Sequence, residues 1–79
     1  MALQEEVIAV VSRVIKTPVG DLSAESGLGS VGTWDSMAHT TLVLELEEVF
    51  DVAFDFDELD RIVTIGAIVE SLKAKGLSC

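Results

Sequence analysis

Apolar residues recur every three to four positions in three separate stretches, and this spacing decides most of what the chain can fold into. In the first stretch, from about Leu3 to Lys16, Leu3, Val7, Val10, Val11 and Val14 share one side of a helical wheel. Ile15 stands at the edge of that side, and Glu5, Ser12, Arg13 and Lys16 lie opposite. In the second stretch Leu42, Val43, Leu46, Val49 and Phe50 cluster, and in the third Ile65, Ile68, Val69 and Leu72 do. No strand-like alternation competes with these stripes. The spacing therefore predicts an all-α fold, a small bundle of three main helices plus one short helix, with residues 1–79 as one domain.

Residues 17–35 separate the first two stripes and hold the only proline and four of the six glycines. This is loop chemistry, and at 19 residues the loop is long for a compact domain, a length that usually marks function or disorder. Leu22, Leu28, Val31 and Trp34 are spaced through it and should pin it to the core. Asp35 suits the N-cap of a second helix that begins at Asp35 or Ser36 and ends near Phe50 or Asp51. The segment after Asp51 has room only for a short helix near Phe56 to Arg61. Thr64 then reads as the N-cap of a last helix reaching Ala74 or Lys75 and stopping at Gly76.

Charge and cysteine content narrow the function. Fourteen acidic residues against five basic ones give a net charge of −9, which counts against nucleic acid and anionic membrane surfaces. The acids are unevenly placed: residues 1–40 carry five acids and two bases, whereas residues 41–79 carry nine and three. With 49% hydrophobic residues the chain can bury enough surface to fold. The single cysteine, Cys79, stands at the chain end and cannot form an internal disulfide. No apolar run is long enough to span a membrane, and Glu5 and Glu6 stand where a signal peptide would carry bases. A monomer in a reducing cytoplasm is the expectation.

Little enzymatic chemistry is on offer. Eight acids lie between Glu45 and Asp60, yet they do not fit a calcium loop: counting from Asp51, the third position is Ala53 and the sixth is Phe56. One histidine and one terminal cysteine cannot make a closed zinc site. Ser36 and His39 could touch across one helical turn, but Ser36 lacks the strand-to-helix elbow of a hydrolase nucleophile, and packing is the simpler role for His39. Met37 and Leu44 fall on the solvent side of the second helix, beside Thr41 and Glu48. The wheel leaves two readings for them, a docking patch or ordinary scattered surface apolar residues. Ser36 has two readings as well. Serine is simply favourable in a first helical turn, and a helix N-terminus also tolerates a phosphate on a neighbouring oxygen.

Asp35-Ser36-Met37, preceded by the long loop with Leu28 and Gly29 and followed by Leu46-Glu47-Glu48-Val49-Phe50-Asp51 and Thr64-Ile65, resembles the acyl carrier proteins. Methionine replaces the leucine of that family's Asp-Ser-Leu motif. The resemblance implies a carrier and not an enzyme. It implies a 4′-phosphopantetheine arm moved by a phosphopantetheinyl transferase from coenzyme A onto Ser36, with Asp35 as the motif's aspartate. The thiol of that arm would hold acyl groups as thioesters for loading ligases and for acyl-transferring or condensing enzymes of a lipid or secondary-metabolite pathway. The second helix is the family's recognition helix, which makes Met37, Thr40, Thr41, Leu44, Glu47 and Glu48 the expected docking residues.

The departures from the family concern cargo. Carriers of primary fatty acid synthesis place acids directly after the serine, whereas this chain has Ala38, His39, Thr40 and Thr41 there and Trp34 before the aspartate. This suggests a specialised stand-alone carrier, with His39 near the arm's attachment point and any acyl pocket. Two other readings remain: a discrete aminoacyl or peptidyl carrier loaded by an adenylating ligase, and an unmodified helical interaction module.

Overall fold

A computed structural model describes residues 2–77, so Cys79 lies outside the described residues. The three stripes form α1 (Leu3–Ile15), α2 (Ser36–Phe50) and α3 (Ile65–Ala74), with single 3₁₀ turns at Val19–Asp21 and Phe56–Glu58. The fold is the expected all-α bundle, about 30 × 28 × 20 Å. Its hub is α1, which packs against both α2 and α3.

The core follows from the stripes. Leu3, Val7, Val10, Val11 and Ile15 are buried on α1, and Ile65, Ile68, Val69 and Leu72 on α3. The second helix contributes less than its wheel suggested. Only Leu42 and Leu46 are buried, Val43 and Phe50 are partly covered, and Val49 is 49% exposed. Among the described residues α1 is the helix that packs closely on α2, and Val49 stands at the edge of that contact, on the side where Glu45 pairs with Arg13 at 3.0 Å.

Local chemistry sets the ends of the elements. The Asp35 carboxylate accepts from the Ala38 amide at 2.9 Å, and the Thr64 hydroxyl accepts from the Ala67 amide at 3.1 Å, so each caps its helix as expected. Left-handed Lys16 (φ 56°) and Asp51 (φ 54°) end α1 and α2, while Gly76 (φ 99°) follows the last turn of α3. The short third helix expected near Phe56 to Arg61 is a 3₁₀ turn instead. The Glu58 side chain accepts from the Asp55 amide at 3.1 Å, from the Ser71 hydroxyl at 2.6 Å and from Lys75 Nζ at 2.7 Å. These bonds fasten the turn to α3, and Phe56, 85% exposed, supplies no apolar face that would reward a longer helix.

The long loop is pinned, though not by the four side chains alone. Leu22 and Trp34 are buried and Val31 packs against the core, but Leu28 is exposed, contrary to expectation. A backbone seam does the rest: Leu28 N–H donates to Val63 O at 2.8 Å, Ile65 N–H to Ser26 O at 2.9 Å, and Gly66 N–H to Ala24 O at 2.8 Å. Gly27 lies at the centre of this seam, bridged to Thr64, where a side chain would collide with the Val63 carbonyl and Thr64 Cγ2.

Candidate functional site

The site is built on the entry to α2. Trp34, 1% exposed, anchors the end of the loop in the core, and its carbonyl accepts from the Gly29 amide at 3.2 Å. That anchor fixes where Asp35 caps the helix and where Ser36, the first helical residue, stands exposed to solvent. The first turn of α2 holds no acidic side chain. A phosphate on Ser36 would meet the positive end of the helix and one carboxylate, Asp35, which is engaged by the Ala38 amide.

Beside Ser36 opens a cavity of about 570 Å³ between α2 and the segment leading to α3. Its walls are mainly apolar, with Leu28, Val43, Leu44, Phe54, Leu59 and Val63 around Ser36, His39, Thr40, Glu47 and Asp60. The exposed position of Leu28 is thereby explained, since it walls the cavity and does not fill the core. At the Ser36 end, Trp34 Nε1–H donates to His39 Nδ1 at 3.0 Å, with the two rings stacked at 6.0 Å. Burial holds the His39 pKa below the ordinary imidazole value, so the ring is neutral at pH 7.

The other residues singled out in the sequence divide between two surfaces. Met37 and Leu44 are 81% and 62% exposed, and Glu48 is exposed. Thr40 and Thr41 are exposed too, but their hydroxyls bond back to the Ser36 and Met37 carbonyls at 3.1 and 3.3 Å. Glu47 is half-buried and accepts from the Phe54 amide at 2.9 Å, a tie between α2 and the following segment. Thr40, Leu44 and Glu47 also border the cavity. Sequence reasoning missed Phe54, Leu59 and Val63 as cavity residues, because nothing in their local spacing distinguishes a wall from a core. Among the described residues no group of three or more His, Cys, Asp or Glu side chains is placed to hold a metal ion.

Comparison with known proteins decides the family. Residues 5–72 match the family model described as a phosphopantetheine attachment site. The chain belongs to the acyl carrier protein family. It is 26% identical over 73 residues to an acyl carrier protein of Amoebophilus asiaticus, covering 92% of this chain and 91% of that one. To an acyl carrier protein of Prochlorococcus marinus it is 28% identical over 71 residues, covering 90% and 89%. Among solved structures, a candidate acyl carrier protein from Mycobacterium tuberculosis superposes with a TM-score of 0.77 at 32% identity, covering 91% of this chain and 97% of that one. A holo acyl carrier protein from Nitrosomonas europaea gives 0.79 at 30% identity, covering 95% and 96%. Acyl carrier proteins are carriers and not catalysts, their prosthetic group is 4′-phosphopantetheine, and they work with transferases and acyl-processing enzymes. The exposed Ser36 hydroxyl, at a helix N-terminus beside an apolar cavity, fits such a group.

Proposed function

We propose that Ser36 is the residue to which 4′-phosphopantetheine is attached, and that this carrier presents acyl chains for a dedicated lipid or secondary-metabolite pathway. The observation that carries the proposal is the position of Ser36: exposed, first in α2, with its neighbouring acid engaged in capping, at the rim of the cavity. When bound, the group supplies a terminal thiol that holds the cargo as a thioester. Ser36 contributes the attachment oxygen, the N-terminus of α2 stabilises the adjoining phosphate, and the apolar walls offer a place where a chain is shielded from water.

Met37 and Leu44, with Glu48 beside them, form the exposed part of the docking surface. The first turn of α2 lacks the acids of the housekeeping carriers, which favours partners whose contact near Ser36 is apolar and whose basic residues meet the acids from Glu45 onward. The test is to incubate apo protein with coenzyme A, Mg²⁺ and a broad-specificity transferase and then to weigh it. The wild type gains the mass of the arm and Ser36→Ala does not. An unchanged wild-type mass, alongside a modified control carrier, overturns the proposal.

A further inference from the structure

His39 is more specific than a packing residue. The indole of Trp34 can only donate, so its 3.0 Å bond to Nδ1 requires a lone pair there and leaves the ring proton on Nε2. That Nε2–H is sealed from solvent and has no hydrogen-bond partner among the described residues. Buried donors are almost always satisfied, because an unmade bond forfeits the donor's hydration with nothing in return. His39 is one of the residues lining the cavity, one helical turn from Ser36.

The other side-chain donors of that wall are committed. Thr40 donates to the Ser36 carbonyl, and the Ser36 hydroxyl is consumed by attachment in the carrier reading above, on which this inference rests. We propose that His39 Nε2–H is the donor that recognises a neutral oxygen on the tethered chain, so that the cavity prefers acyl chains bearing an oxo or hydroxy group over fully saturated ones. The apolar walls hold the hydrocarbon part. Glu47 and Asp60, the charged residues of the lining, disfavour a chain that carries a carboxylate of its own. Nε2 is closed to water in this structure, so the oxygen-bearing chain must displace wall side chains in order to reach it.

The chain has one histidine and one tryptophan, so the imidazole and indole N–H signals of ¹⁵N-labelled protein are unambiguous. Holo protein is compared unloaded and loaded with octanoyl, 3-oxooctanoyl or 3-hydroxyoctanoyl chains through a non-hydrolysable amide. The two oxygen-bearing chains should shift the His39 Nε2–H proton downfield and slow its exchange with water about tenfold relative to the octanoyl form. In the corresponding thioesters the oxygen-bearing chains should also resist hydroxylamine better, and His39→Phe should erase that difference while Trp34 fluorescence confirms the fold. An equal response to saturated and oxygen-bearing chains overturns the inference and leaves the carrier reading intact. So does a response already complete in the unloaded holo protein, which assigns the bond to the arm. Failure to load any chain, seen as missing mass, overturns both.

Discussion

Replacing Gly27 by alanine tests whether the backbone seam between the long loop and α3 holds the site in place. A Cβ at residue 27 has nowhere to go, since it would fall on the Val63 carbonyl oxygen and Thr64 Cγ2. The oxygen it strikes is the acceptor of the Leu28 amide, and the adjoining bond runs from Ile65 N–H to Ser26 O. Separating the two segments enough to admit a methyl group sacrifices those two bonds, at about 1 kcal/mol each. Residual overpacking adds about 1 to 2 kcal/mol. The sum, about 3 to 4 kcal/mol, is a large share of the ~4 to 12 kcal/mol expected for a domain of this size. It should lower Tm by about 20 °C.

Gly32→Ala is the matched control in the same loop. No atom lies within 4 Å of a Cβ there, and φ is outside the left-handed region. Its effect should stay within about 0.5 kcal/mol or be slightly stabilising, because alanine restricts the unfolded chain. Urea titrations followed by the fluorescence of Trp34, buried and the only tryptophan, measure both variants. If the unfolding free energies of Gly27→Ala and Gly32→Ala agree within about 0.5 kcal/mol, Gly27 makes no costly close approach to the Val63 carbonyl.

Other variants probe the remaining elements. Asp35→Ala removes the α2 cap and should cost about 1 kcal/mol in the same titration. Leu46→Ala should cost about 2 to 5 kcal/mol and Val49→Ala well under 1 kcal/mol, although both lie on the apolar side of the wheel. The Glu58 carboxyl is held at about 2, below its ordinary 4.5, by hydrogen bonds from Lys75, then Ser71 and the Asp55 amide. Its stabilisation is therefore present above pH 4.5 and lost as pH falls toward 2, so the Tm difference between wild type and Glu58→Gln should shrink across that window. His39 is held neutral by burial, so the unfolded chain takes up a proton first, and stability should fall as pH drops below about 6.5. His39→Phe, followed by thermal melts between pH 5 and 7, should flatten that slope.

Much of this site was legible before the fold. Asp35 as N-cap and Ser36 as first helical residue follow from side-chain chemistry that acts over three or four positions. Thr64 and Gly76 at the two ends of α3 follow in the same way. The resemblance of Asp35-Ser36-Met37 to the family motif is likewise a property of adjacent residues, and it is what singles out Ser36 as the proposed attachment residue. The wheel was less successful on α2, where Val49 shares an apolar side with the buried Leu42 and Leu46 yet faces water. Periodicity reports which side is apolar, and it is silent on how far a neighbouring element extends to cover that side.

The sequence by itself determined the three helices, their caps, the length of the loop and the acid-poor start of α2, because each depends on residues close along the chain. Only the tertiary structure decided that Glu58 would spend its carboxylate on Ser71 and Lys75 and so reduce the expected third helix to one turn. It also brought Leu28, Phe54, Leu59 and Val63 around a cavity at Ser36, and set Trp34 against His39 so that one imidazole nitrogen is satisfied and the other left waiting. Those arrangements pair residues from different loops and helices, and their energies arise from burial and hydrogen-bond geometry that no local pattern encodes.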